Sequence, residues 1–243
     1  MKIVLFTQRV EIIESYNERR DCSDQRIPYF LSECGFLPIP VPNNPELATA
    51  IADQTKPCGI VLTGGNTAVK YGGNAPERDS TDKALIDFAI KNNIPLFGFC
   101  RGMQSILDYF GNELVAINGH VAKYHKVLGE EEMFVNSFHN YGCKNLTNDN
   151  LVTALISEDG VIEKVRHKHL PIAGIMWHPE REQEFKEIDL ELVKALFSQD
   201  RHTATRSGHP PTTEAPSPTL SSPAPGVTHR SITAEWSPTQ RPP

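Results

Sequence analysis

The chain has 243 residues, a net charge of −6 and a pI near 5.9. That length is enough for one well-filled core, and the acidic balance gives no reason to expect a nucleic-acid partner. No stretch approaches the roughly eighteen consecutive apolar residues of a membrane-spanning helix, and five cysteines without paired spacing make neither a disulfide framework nor a CxxC metal site, so no membrane partner is expected and a reducing cytoplasm fits best.

Met1 to Thr7 reads as a first strand; it is too short, and too polar afterwards, for a signal peptide. Apolar runs of strand length recur at Ile3–Phe6, Leu37–Val41, Gly59–Leu62 and Leu96–Phe99, separated by stretches able to hold helices, such as Asp82–Asn92. This alternation predicts an α/β fold in which a parallel sheet is covered by helices on both faces. Sites in such folds lie beyond the C-terminal strand ends, which singles out Thr7-Gln8-Arg9, Thr63-Gly64-Gly65-Asn66 and Cys100-Arg101.

The segment Asn17 to Gln25 is polar and runs into a predicted helix ending near Gly35. Its adjacent Arg19 and Arg20 have the guanidinium forks that match phosphate or carboxylate; a solvated helix start with mixed charges accounts for them equally simply. After Ile60-Val61-Leu62, the Gly64-Gly65 pair permits a loop that turns N–H groups inward, as an acyl-transfer enzyme needs for a developing oxyanion, although many strand-to-loop turns carry such a pair only to relieve strain. The glycine-rich Lys70-Tyr71-Gly72-Gly73 that follows is either a lid or a plain surface turn.

At Leu96-Phe97-Gly98-Phe99-Cys100-Arg101-Gly102 a short apolar strand turns at a cysteine between glycines into a helix through Ile106, Leu107 and Phe110. This is the pattern of a nucleophile elbow. A helix that starts just past the sulfur aims free N–H groups at it and favours the thiolate. A small buried hydrophobe beside a structural turn is the competing reading of Cys100.

The second half is predicted more antiparallel, with short strands at Glu113–Ile117, Met133–Val135, Leu151–Ser157, Val161–His167 and Ile172–Met176 and a helix over Lys186–Phe197. His178 lies just past the last of these strands, and Glu180 two residues on supplies a carboxylate to orient it, so the elbow cysteine acquires a general base. Beyond about Arg201 the chain turns rich in Pro, Ser and Thr, with almost no apolar periodicity. Residues 1–200 are therefore read as the domain and 201–243 as a disordered tail, either a proline-rich docking segment or an appended or frameshifted extension.

Together, Gly98 to Gln104, Thr63-Gly64-Gly65 and Trp177-His178-Pro179-Glu180 resemble the class I glutamine amidotransferase superfamily over residues 1 to about 200. The resemblance implies a flavodoxin-like α/β/α sandwich with a mostly parallel central sheet, a smaller antiparallel sheet and a catalytic Cys100, His178 and Glu180. Val135-Asn136-Ser137-Phe138-His139 and Ser157-Glu158-Asp159-Gly160-Val161-Ile162-Glu163 look like the γ-glutamyl hydrolase branch. Thr7-Gln8-Arg9-Val10, Glu18-Arg19-Arg20-Asp21 and Asp24-Gln25 are similar to branch members that act on a nucleotide-linked γ-glutamyl amide in bacterial capsule synthesis.

Carried over, the resemblance gives the oxyanion to the backbone of Gly65 and Arg101, the glutamyl head group to Gln104, and its α-amino and α-carboxylate groups to Asn136, Ser137, Phe138 and His139. A bulky anionic leaving group would be met by Arg9, Arg19, Arg20 and Arg101. The expected partner is a small γ-glutamyl conjugate. No cofactor is implied, no metal is expected, and His120 and His125 are read as structural. A glutaminase component feeding a separate synthase, a hydrolase of γ-glutamyl-γ-aminobutyrate and a catalytically dead metabolite sensor are the alternatives.

Overall fold

The computed structural model describes residues 1–147 and 149–198; the segment 201–243 predicted to be disordered lies outside them. In chain order the elements are β1 (Lys2–Phe6), β2 (Arg9–Ile13), β3 (Glu18–Cys22), α1 (Arg26–Glu33), β4 (Phe36–Pro40), α2 (Pro45–Thr55), β5 (Gly59–Leu62), α3 (Pro76–Asn92), β6 (Leu96–Phe99) and α4 (Arg101–Tyr109). There follow β7 (Val115–Ala116), β8 (Val121–Gly129), β9 (Glu132–Phe138), β10 (Tyr141–Gly142), β11 (Leu151–Ser157), β12 (Ile162–His167), β13 (Ile172–Ile175) and α5 (Glu187–Phe197).

Nine strands form one sheet in the order β4-β1-β5-β6-β13-β12-β11-β8-β9. From β4 to β13 neighbours run parallel, and from β13 to β9 they run antiparallel. The two-residue side-chain period sorts the parallel strands onto two faces. Val4, Phe6, Val61, Phe97 and Phe99 pack against α1 and α5 through Phe30, Leu31, Val193 and Phe197. Leu5, Ile60, Leu62 and Leu96 pack against α2, α3 and α4 through Ala48, Leu85, Ile86, Met103 and Ile106. The result is the expected three-layer α/β/α arrangement with helices on both faces of the parallel strands.

Two short antiparallel pairs, β2 with β3 and β7 with β10, stand apart from the main sheet. The first replaces the polar lead-in predicted for residues 17–25: β3 is charged at four of its five residues, so no apolar alternation betrays it. For the same reason β8, whose residues are mostly exposed, is a strand where the sequence predicts none, whereas the strand predicted over Glu113–Ile117 shortens to two residues. Among the described residues no helix is long and apolar enough to cross a membrane.

Candidate active site

The elbow is built by close packing. Cys100 takes φ +51° and ψ −112°, left-handed backbone that a non-glycine residue adopts at a cost of about 1–3 kcal/mol. The surroundings enforce it: its N–H donates to Ile175 O at 2.8 Å, and its carbonyl accepts from Gln104 N–H at 3.1 Å. A Cβ on Gly98 would lie 2.6 Å from the Gly102 carbonyl carbon, and one on Gly102 would lie 1.9 Å from Leu62 O, so both flanking positions require glycine for β5, β6 and α4 to approach this closely. The first-turn N–H groups of α4, beginning with that of Arg101, have no intrahelical partner.

His178 follows β13, which pairs directly with β6. Its Nδ1 lies 2.6 Å from Glu180 Oε1, and both side chains are buried. The imidazole stands edge-on to Phe99 and Phe138, with centroids 5.8 and 5.7 Å away. A Cβ on Gly64 would come within 2.6 Å of His178 Cε1, so the backbone of the loop after β5 closes the remaining side of the ring. Burial alone would push the His178 imidazolium down; the charge on Cys100, a hydrogen bond to its sulfur and the Glu180 carboxylate outweigh burial and raise it to about 9. The ring thus faces the Cys100 sulfur on one side and is oriented by Glu180 on the other.

The backbone around this histidine is clamped by residues whose part in it the sequence did not show. Asn136, 1% exposed, accepts from His178 N–H through Oδ1 at 2.8 Å and donates through Nδ2 to His178 O at 2.8 Å and to Glu182 Oε1 at 2.9 Å. Arg26 donates through Nε to Glu180 O at 2.6 Å and through Nη2 to Glu182 O. On the oxyanion side, the fully buried Arg78 donates to Gly65 O at 2.7 Å and to Thr63 O at 2.6 Å. These two carbonyls belong to the peptides on either side of the one carrying the Gly65 N–H, and Gly65 itself has φ +91°. Burial and the neighbouring Arg101 lower the Arg78 guanidinium to about 9.

The structure rearranges the sequence-predicted binding residues. The side chains of Asn136, Ser137 and His139 are at most 3% exposed and turned inward: Ser137 Oγ donates to His120 O at 2.7 Å and His139 Nδ1 lies 3.1 Å from Tyr141 O. Of that segment Phe138 is the residue whose side chain stands beside the His178 ring, under the Arg181 guanidinium at 4.4 Å. The Arg101 side chain does not point to the site; it is buried on Asp79, Asp82 and Ser105, tying α4 to α3. Gln104 donates to Tyr141 O at 2.9 Å and lines a cavity of about 600 Å³ with Tyr71, Asp82 and Ser105. The cleft that holds His178 and Gly65 is lined instead by Arg9, Cys22 and Arg181.

The pairing of β2 with β3 separates the amino-terminal arginines. Arg9 pairs with Cys22 and Glu11 with Arg20, which puts Arg9 and Arg20 on one face of the hairpin; Arg9 lines the cleft, and Arg20 is bound to Glu18 at 2.9 Å. Arg19 pairs with Ile12 on the opposite face and docks on α3 through Glu77 and Asn74 O, correcting its expected place at the site.

The glutamine amidotransferase class-I profile matches residues 21–192. A γ-glutamyl-CDP-amidate hydrolase of Campylobacter jejuni subsp. jejuni serotype O:2 is 32% identical over 195 residues, covering 79% of this chain and 96% of its own. A γ-glutamyl-γ-aminobutyrate hydrolase of Escherichia coli O157:H7 is 30% identical, covering 60% and 73%. A solved structure from Thermoplasma acidophilum, described as a candidate GMP synthase protein, superposes with a TM-score of 0.61 at 21% identity, covering 81% of this chain and 93% of its own. The last of these speaks for the fold alone.

Proposed function

Because the chain belongs to the class I glutamine amidotransferase family, we propose that it is a cysteine hydrolase of γ-glutamyl amides and that its substrate is γ-glutamyl-CDP-amidate. The observation that carries the chemistry is the buried His178–Glu180 pair at 2.6 Å, with the imidazolium raised by the sulfur of an elbow cysteine. In this reading the Cys100 sulfur, as thiolate, attacks the γ-carbonyl carbon, and the electron pair of the C=O bond moves onto oxygen, where the N–H groups of Gly65 and Arg101 receive it. Such donors are worth roughly 10²–10³ in rate. As the C–N bond breaks, His178 passes the proton on Nε2 to the leaving nitrogen. His178, now neutral, takes a proton from water, whose oxygen attacks the thioester; glutamate departs and the thiolate returns.

The nucleotide-linked substrate is favoured by the relative that acts on it, which the chain matches over nearly its whole length. Arg9 and Arg181 at the cleft supply cationic partners for a diphosphate. Release of glutamate from γ-glutamyl-CDP-amidate, γ-glutamyl-γ-aminobutyrate and free glutamine, each with Cys100→Ala as control, tests both levels. Preference for the nucleotide conjugate is expected. Preference for the aminobutyrate conjugate would remove the specific assignment, and activity on glutamine alone, or turnover surviving in Cys100→Ala, would remove the general one.

A further inference from the structure

Behind the segment that carries Asn136 and Phe138 lies a second constellation. Glu163 on β12 is 0% exposed, and neither of its carboxylate oxygens receives a hydrogen bond. Its Oε1 faces His120 Nδ1 at 3.3 Å, His125 Nε2 at 3.6 Å and His139 Nε2 at 3.6 Å, and those three nitrogens are likewise buried without a hydrogen-bond partner. Leaving a buried carboxylate and three ring nitrogens unpaired is costly, on the order of 1–3 kcal/mol for each group.

The outer contacts fix what the ring nitrogens present to one another. His139 Nδ1 is 3.1 Å from Tyr141 O, an acceptor only, so Nδ1 carries the hydrogen and Nε2 of the neutral ring is a lone pair. His120 Nε2 is 3.1 Å from Asp159 Oδ2, which likewise holds the hydrogen there and leaves Nδ1 as a lone pair. Lone pairs directed at a carboxylate repel unless a proton or a metal cation stands between them. Carboxylate–histidine and carbonyl–histidine contacts of this kind are the supports that orient metal-bound imidazoles.

The distances also fit. Around a zinc ion with bonds of about 2.0–2.1 Å, the edges of a tetrahedron are about 3.3–3.4 Å. The three N···O separations at Glu163 match that edge within a few tenths of an ångström and lie outside good hydrogen-bond range. The candidate ligand atoms of His120, His125 and Glu163 all lie within 4.8 Å of one another. The geometry points to a zinc site formed by His120, His125 and Glu163, with His139 Nε2 facing the same Glu163 oxygen at 3.6 Å. With these three protein donors the ion serves as a cross-link between the start of β8 and β12. His120 O also accepts from His139 N–H at 2.9 Å and from Ser137 Oγ, so the cross-link stiffens the segment that clamps His178. The ligands were not evident in the sequence because Glu163 lies on β12, far along the chain from His120 and His125, with none of the short spacings of a metal motif. This site stands independently of the substrate reading.

The test uses the untagged full-length protein, stripped with a chelator and reloaded with Zn²⁺ alone, followed by gel filtration, elemental analysis and competition against a chromophoric chelator. Because Cys100 and His178 also form a thiolate–imidazole pair, Cys100→Ser is run in parallel. About one zinc per chain in both proteins, with a rise in Tm on loading, is the expected result. Asp159→Asn, which leaves the three ligands intact, should weaken zinc binding by roughly 10–100-fold. Glu163→Gln should abolish stoichiometric retention. Should Glu163→Gln fail to fold, Co²⁺ loaded into Cys100→Ser decides the matter, through tetrahedral visible bands without a thiolate charge-transfer band. No zinc retained by the unmodified protein, or retention lost in Cys100→Ser and kept in Glu163→Gln, overturns the proposal in favour of a cluster held together by protons.

Discussion

Gly64→Ala separates the position of His178 from the stability of the fold. Gly64 is not in left-handed backbone, so alanine meets no conformational penalty, and the restricted unfolded chain would contribute about 0.4–1 kcal/mol in its favour. The obstacle is the imidazole: the new methyl would stand 2.6 Å from His178 Cε1, whereas ordinary contact begins at 3.4 Å. The ring must therefore retreat by about 0.8 Å. Phe99 and Phe138 flank it, and its Nδ1 is tied to Glu180 at 2.6 Å, so the retreat stretches or breaks that bond. A misplacement of about 1 Å at a reacting group costs on the order of 10²-fold in rate. The expected outcome is a folded protein with Tm within a few degrees of the parent and kcat lowered by about 100-fold. Steady-state glutamate release together with thermal melting measures both, and the rate of Cys100 alkylation reports whether the sulfur has lost its cation. A kcat within threefold of the parent would refute the claim that the loop backbone holds the imidazole in place.

The remaining predictions concern the same residues. Since His178 is raised from 6.5 to about 9, kcat/KM should fall as pH rises through about 9; the stability drawn from its pairing is present in full below pH 6.5 and is lost over that same rise, which melting at stepped pH will show. Glu180→Gln removes one of the raising interactions, so the alkaline limb should move to lower pH. Arg78→Lys cannot span Thr63 O and Gly65 O in the same way, and kcat should drop by roughly 10²–10³ with KM little changed, as expected for a loosened oxyanion loop; an unaltered kcat in a folded variant would contradict that role. Arg9→Ala should raise KM for the nucleotide conjugate, whereas Arg19→Ala should lower Tm slightly and leave KM alone, because Arg19 docks on α3; an equal effect of both on KM would remove the distinction drawn between the two faces of the hairpin.

What could be read from the sequence was local chemistry. The Gly98-x-Cys100-x-Gly102 pattern states its own close packing, and His178-x-Glu180 places a base and its orienting carboxylate within one turn of chain. Arg78 and Arg26 announce nothing, because the carbonyls they grip lie on other elements and each looks like an ordinary surface polar group; Asn136 is marked by the family resemblance, but for substrate rather than for the histidine backbone it holds. At Arg101, Ser137 and His139 the sequence identified positions near the site but could not say which way a side chain points: the backbone passes the site while the side chains serve the interior. Hairpin β2–β3 and strand β8 escaped notice for a related reason: β3 is charged at four of its five positions and β8 is mostly exposed, and periodicity is informative only where one face is buried.

The adjacency of β6 and β13 also has a consequence for how this protein comes into being. β13 is the last strand of the sheet in chain order yet fills a place near its middle, between β6 and β12. Until it inserts, Ile175 O is not there to hold the elbow amide, and the histidine it carries is absent from the sulfur. A growing polypeptide thus emerges with Cys100 complete in sequence but without its histidine, and under the proposed chemistry hydrolytic competence arrives only with the final, most non-local pairing of the sheet. Recovery of activity on refolding would then time the closing step of assembly rather than its beginning.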